Sequence, residues 1–318
     1  MTAIPSPLTG FTDSRTAQPK PQRRLNGFPI TRGIGIPFLA SAAVAAGTAI
    51  VSAIGIVQGS ELYGTDPPLI LVSAGGDLAN LIITLPALIG VMWFAGRGSL
   101  AGLLMWPGAL FYTLYVYAVY LVGAPTGMML FAYATLVVLS ATSLVVSLAS
   151  IDTERVRSQL ARTPIRFVGG ALVIIAVAAY AGLIATAVSE FGSSGAESGF
   201  RPQWVIDCAL GTPPLLIGGF LAWLRRPLGY ATVGGLLFVS GLGGLAFAAA
   251  AMLQGLLYYG PIEWSVVGVH LIISAISFGL MVWFFAGRPR VADSGNLPSV
   301  RPFSLHRRSA SGSNPPNE

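Results

Sequence analysis

Asp77 and Asp207 are carboxylates set inside long apolar runs, and Asp77 opens a polar stripe that continues through Asn80 and Thr84 at i+3 and i+7 of one helix face. An ionised carboxylate in a membrane is costly unless it meets water, a cation or a hydrogen-bond donor, so each acid is expected to face the bundle interior or an outward cavity. The chemistry open to such groups is the binding of an ion or a polar small molecule. Tyr112 and Tyr115, one turn apart on the third apolar run, are the donors expected to meet Asp77, and Tyr133 on the fourth run could join them. Tyr117 and Tyr120 lie on the same run, but the four tyrosines cover more than half its circumference and cannot all serve one pocket. Some of them are expected in the aromatic belt. Asp207 has only Gly211 and Thr212 close by, a sign of close backbone approach. His270, followed by Ser274 and Ser277 at i+4 and i+7, makes a further polar stripe, of the kind that forms interhelical hydrogen bonds.

Prolines follow both acids on the same runs. Pro86 and Pro214, the latter doubled as Pro213-Pro214, each lie eleven residues before an arginine that closes the same run, Arg97 and Arg225. At 1.5 Å rise per residue that places them roughly 16 Å into the membrane, near its midplane. A proline there removes one backbone donor and displaces a carbonyl four residues earlier, so a kink or break is expected, with the carbonyls of Ile82 and Leu210 freed. Helices broken in this way are where many transporters hold their substrate.

Other chemistries lack their parts. The chain has no phosphate-cradling loop, no Gly-x-Ser-x-Gly, no His-Glu-x-x-His and one cysteine, Cys208; His270 is the one histidine inside a run, with His306 in the C-terminal tail. Haem ligation by a histidine pair, a metal centre and an intramembrane nucleophile therefore have too few residues, and no cofactor and no enzymatic activity is expected.

The elements that must position these residues are eight apolar runs, read as 35–57, 69–95, 101–123, 128–150, 167–189, 204–224, 229–253 and 264–286, each near or above the ~20 residues that cross a hydrocarbon core. Backbone hydrogen bonds must be satisfied within the lipid, and the runs lack the alternation of a membrane β-barrel, so the class is an all-α polytopic helix bundle. Composition agrees, with 54% hydrophobic and 9% charged residues. Of the 18 Lys and Arg residues, all but Arg201 fall in segments that lie on one side once the eight runs are taken as spans. The positive-inside rule makes that side, and both termini, cytoplasmic. The arginines are spread over several segments instead of one stripe, which argues for contact with lipid headgroups and against nucleic acid. Abundant Ala and Gly, with arginine replacing lysine almost throughout, point to a bacterial plasma membrane.

Residues 1–34 and 287–318 are rich in Pro, Ser, Gly and Arg without apolar periodicity and read as disordered cytoplasmic tails. Between them the chain repeats. Thr84-Leu85-Pro86-Ala87-Leu88-Ile89-Gly90 matches Thr212-Pro213-Pro214-Leu215-Leu216-Ile217-Gly218 at five of seven positions, and the same offset, Thr84 to Thr212, also aligns Arg97 with Arg225. The offset carries the second span onto the sixth. It divides the chain into two four-helix halves, 35–150 and 167–286, joined by an Arg-rich linker, 151–166. Four spans per half make the repeat parallel, with a pseudo-twofold axis along the membrane normal.

Gly76-Asp77-Leu78, Thr84-Leu85-Pro86, Arg97-Gly98-Ser99-Leu100, the tyrosines of the third span, and then Asp207, Pro214 and Arg225-Arg226-Pro227-Leu228-Gly229-Tyr230 resemble the pattern of a family of prokaryotic eight-span membrane proteins. The resemblance covers most of residues 70–240 and implies the eight-span fold and a role for Asp77, Tyr112 and Tyr115. It implies no activity, and Asn80 and the doubled proline depart from the pattern. Two functions then fit the residues. One is a protein that binds or transports a small molecule, lipid or ion in an outward-facing polar cavity between the halves. The other is a non-catalytic partner or scaffold subunit, whose polar stripes pack helices in a homo-oligomer or against another membrane protein.

Overall fold

The computed structural model describes residues 28–31, 33–63, 75–123, 127–192, 202–258, 262 and 264–287. Eight helices are long and apolar enough to cross a membrane. They are α1 (Gly35–Tyr63), α2 (Gly75–Gly96), α3 (Leu100–Val122) and α4 (Met128–Ala149), then α6 (Ile165–Gly192), α7 (Gln203–Trp223), α8 (Pro227–Tyr258) and α9 (Trp264–Ala286). A short helix, α5 (Thr153–Gln159), lies in the linker between the halves. The protein is thus an all-α polytopic bundle. Its outer surface is apolar, with Phe131, Val138, Val145, Ile174, Ile184, Ile217 and Phe220 all exposed, as helices bounded by hydrocarbon require.

Two buried helices, α3 and α8, cross at the centre of the bundle. Small residues let them touch backbone to backbone: a Cβ on Gly235 would stand 2.9 Å from the Leu104 carbonyl oxygen and 3.1 Å from the Gly108 nitrogen, and a Cβ on Gly108 would run into Gly235. Helix α4 packs on α3, and α1 lies against α2 and α4, its Gly47 admitting the side chain of Leu136. In the second half α6 packs on α7 through Gly169 and Gly219, and α9 packs on α8. Helix α8 also reaches α2, with the Ala250 carbonyl oxygen 3.0 Å from where a Cβ of Gly75 would be.

Several of these features come in pairs at the spacing of Gly108 and Gly235, one position shorter than the offset that takes Thr84 to Thr212 in the sequence match. Gly108 and Gly235 meet each other. Gly102 and Gly229 make the same contact, each pressing on two residues in the last turn of the preceding span, Phe94 and Ala95 in one case and Leu221 and Ala222 in the other. Gly98 and Arg225 both hold positive φ, 80° and 56°, in the tight turns that lead into α3 and α8. Glycine accepts that conformation without steric cost and arginine does not. Replacing Arg225 with glycine is therefore expected to stabilise the fold by about 0.5–1 kcal/mol, read as a small rise in melting temperature in detergent.

The arginine-bearing end carries two features that composition and periodicity do not show. Val156 and Leu160 of the linker are fully buried, Asp152 caps α5 by accepting from the Arg155 nitrogen at 3.1 Å, and the linker packs on α8. The last residues of the segment read as an N-terminal disordered tail are instead ordered on that linker. Ile30 bridges Ile151, the Thr31 nitrogen donates to the Ser150 carbonyl, and the Asp152 nitrogen donates to the Pro29 carbonyl. Phe28, Ile30 and Ile34 supply the apolar surface that offsets the ordering entropy, packing against the core. Residues 1–27 and 288–318 lie outside the described residues.

Candidate functional site

Both embedded acids lie in the half of the bundle away from the arginine-bearing end, and both border a helical irregularity. Residues Asn80–Thr84 of α2 and Asp207–Gly211 of α7 form π-helical turns, directly before the straight segments that carry Pro86 and Pro213-Pro214. The two turns stand at the same spacing as Gly108 and Gly235, so Asn80 and Asp207 take the same first position. A π-turn is how each helix absorbs its proline: the Leu85 nitrogen bonds back to Asn80 and the Thr212 nitrogen to Asp207, five residues earlier. The expected break becomes a bulge. Pro213 has no donor to offer five residues back, to Cys208, and that carbonyl is taken instead by the Tyr180 hydroxyl of α6 at 3.0 Å.

Around Asp77 the first half builds a closed polar centre. Asp77, Asn80 and Thr84 are all buried, and they are met by Thr48 and Ser52 of α1, Tyr117 and Tyr120 of α3, and Tyr133 of α4. Thr84 donates to the Asn80 amide oxygen at 3.3 Å, and the Asn80 amide nitrogen lies 3.5 Å from the Ser52 hydroxyl. The Tyr117 hydroxyl stands 3.3 Å from Ser52 and donates to the Thr48 carbonyl at 3.4 Å. Gly76 makes room for Tyr120, whose hydroxyl occupies the place of a Cβ. The rings of Tyr117, Tyr120 and Tyr133 form a cluster with centroids 5.4–5.9 Å apart, Tyr117 and Tyr120 edge-on and Tyr133 tilted against both.

The phenols beside Asp77 are thus Tyr117 and Tyr120, on which Tyr133 packs, while Tyr115 and Tyr112 serve Asp207 and Thr84. Tyr115 donates to Asp207 at 2.6 Å, a short charge-assisted bond from one half of the chain to the other. Gln203, one turn before Asp207, reaches the same pair. Gly211 lets the groups close in, since a Cβ there would sit 3.2 Å from the Asp207 carboxylate and 3.3 Å from the Tyr115 ring. Tyr112 stacks on Tyr115 with centroids 6.4 Å apart and reaches Thr84 with its hydroxyl. Polar contacts thus run from Ser52 through Asn80 and Thr84 to Tyr112, whose ring stacks on that of Tyr115, the partner of Asp207.

His270 lies at the edge of this arrangement, near enough to Asp207 for their charges to interact. Its ring lies 5.4 Å from that of Phe247, which in turn packs edge-on against Tyr115, and its Nδ1 bonds the Val266 carbonyl of its own helix at 2.8 Å. Ser274 is an interhelical bond, donating to the Gly241 carbonyl at 2.8 Å. Among the described residues no group of three or more His, Cys, Asp or Glu could hold a metal ion.

A cavity of about 360 Å³ does lie between the halves, but towards the arginine-bearing end, and apolar residues line it: Leu104, Pro107 and Phe111 of α3, Leu148 of α4, and Pro214 and Ile217 of α7 among them. It contains none of the polar candidates. Sequence reasoning passed over Thr48, Ser52 and Tyr180, although Ser41, Thr48 and Ser52 at i, i+7 and i+11 already mark one helix face.

Comparison with known proteins finds no matching family model, no matching curated protein and no matching solved structure, so the resemblance drawn from the residue pattern stands without an independent match. The eight spans place the protein in a lipid bilayer as a multi-pass membrane protein.

Proposed function

We propose that this protein binds a small monovalent cation, a proton or an alkali ion, at its two linked carboxylate centres, and that this binding is coupled to movement of one half of the bundle against the other. The observation that carries the reading is the polar network of Ser52, Asn80, Thr84 and Tyr112 beside the buried Asp77, with Tyr112 stacked on Tyr115, which bonds Asp207 across the seam. Hydroxyl and amide oxygens around a buried acid are the ligand set of a hard cation and a proton acceptor alike. The features paired at the spacing of Gly108 and Gly235 support two parallel four-helix repeats, with their axis through the crossing of those glycines. The arginine distribution supports a cytoplasmic placement of both termini in a bacterial plasma membrane.

The halves differ in what they carry. At that same spacing Tyr112, Tyr115, Tyr117 and Tyr120 correspond to Val239, Leu242, Gly244 and Phe247, so the tyrosine-lined centre is present once. That asymmetry supports one principal binding centre, at Asp77, and a second acid that reports its state to the seam.

The test is thermal stability of the purified protein in detergent across pH 5–8 and with lithium, sodium and potassium salts, with Asp77→Asn beside wild type. A cation at 100 times its Kd is expected to stabilise the wild type by about 2.7 kcal/mol and the variant not at all. Equal responses of wild type and variant to every cation and pH would refute the reading and favour the partner-subunit role.

A further inference from the structure

Helix α4 buries one face at Met129, Tyr133, Leu136, Ser140, Ser143 and Ser147, and this face turns to α1 and α3. The three serine hydroxyls are closed off from the surface, and none of them has a hydrogen-bond partner in the protein. The same holds for the Thr48 hydroxyl of α1, which lies next to the contact between Gly47 and Leu136 and hence between Tyr133 and Ser140 in height. A helical serine or threonine always has a ready acceptor in the carbonyl four residues back. Thr135 and Thr142, on the lipid-facing side of the same helix, use it at 2.7 and 2.8 Å. The buried four do not, and buried hydroxyls that lack a partner in the protein are ordinarily satisfied by water.

We propose that a file of water runs along this seam and carries protons between the cytoplasmic side and the Asp77 centre. From Tyr133 to Ser147 the stripe covers roughly 21 Å, about two-thirds of a hydrocarbon core. Its outer end meets the ring cluster of Tyr133, Tyr117 and Tyr120 and the Ser52–Asn80 network. Its inner end stops at Ser147, one turn from the point where the Pro29–Thr31 segment is bonded to Ser150 and Asp152. Transfer along the file breaks one O–H bond and forms the next at each water, so one proton enters and one leaves with no co-reactant. The second half offers no such path among its described residues, since Ser274 is bonded to Gly241 and Ser277 stands by itself. The destination of the protons rests on the reading of Asp77 given above, whereas the water in the seam does not.

The experiment is hydrogen–deuterium exchange of thiols, followed by the infrared S–H band of proteoliposomes moved into heavy water, in a Cys208→Ser background. Ser140→Cys and Ser143→Cys are expected to exchange at least tenfold faster than Val138→Cys, which faces lipid. Exchange no faster than that of Val138→Cys overturns the file, whatever Asp77 does. Because a cysteine could disturb the packing, Ser143→Ala/Ser147→Ala is tested alongside by proton uptake reported by a trapped pH dye under an imposed potential. A rate at least tenfold lower, with the melting temperature retained, supports the file; an unchanged rate overturns it as a proton route. Fast thiol exchange combined with uptake that is indifferent to Asp77→Asn keeps the file and overturns Asp77 as its destination.

Discussion

Gly108→Ala is expected to cost the protein more stability than any other single-carbon change in the bundle. The added methyl group points into the backbone of Gly235, where there is no flexible side chain to give way, so the helices α3 and α8 must move apart along their crossing. Overpacking a close-packed interior ordinarily costs 1–3 kcal/mol, and a backbone-to-backbone contact is expected at or above the top of that range, about 3 kcal/mol. Gly235→Ala should behave alike, since its methyl group meets the Leu104 carbonyl. Gly90→Ala and Gly170→Ala add the same carbon where nothing lies within 4 Å and should leave the melting temperature unchanged or slightly raised. Melting in detergent and the monodisperse fraction on size exclusion measure both. Equal behaviour of all four variants would mean that the two halves are not held together at this crossing.

The second large effect concerns the bond between the halves. Tyr115→Phe removes the hydroxyl that donates to Asp207 at 2.6 Å and leaves a half-buried carboxylate without its shortest partner. A hydrogen bond to a charged group contributes about 1.5–3 kcal/mol, and Tyr115→Phe is expected to lower stability by that amount. Asp207→Asn should cost less, because the amide oxygen still accepts from Tyr115. With both changes made, the loss should fall well short of the sum, giving a coupling of at least about 1 kcal/mol in a double-mutant cycle on melting data. Additive losses would show that the two groups do not act on each other. The same cycle run with Tyr112→Phe, whose hydroxyl reaches Thr84 while its ring stacks on Tyr115, serves as the comparison.

The candidate site was legible in its acids and prolines and illegible in its pairings. Asn80 and Thr84 are bonded to each other on the buried face of α2 that their spacing indicates, and Asp77 is buried on the same helix. Tyr112 and Tyr115 were expected against Asp77 on depth and spacing, and both are on α3 at the right level. Yet a helix presents its residues all round, and a rotation of about 100° per residue separates Tyr115 from Tyr117 by more than half a turn. Depth is readable from the distance to a span end; the direction a side chain faces is not, when the helix is apolar on every side.

What the sequence determined by itself is therefore what depends on local composition and length: eight spans, their ends, and the end of the bundle that carries arginine. Transfer of a side chain into hydrocarbon is a property of that residue, so it can be added up along the chain. The tertiary structure alone decided that the prolines are absorbed in π-turns, that the paired features fall one position closer together than the sequence match, that Asp77 is enclosed within one half, and that Asp207 is tied across the seam by Tyr115. Those outcomes follow from how closely glycine-bearing helices approach and at which rotation they lock. Between helices surrounded by lipid, packing and hydrogen bonds set that rotation, because burying apolar surface gains little there.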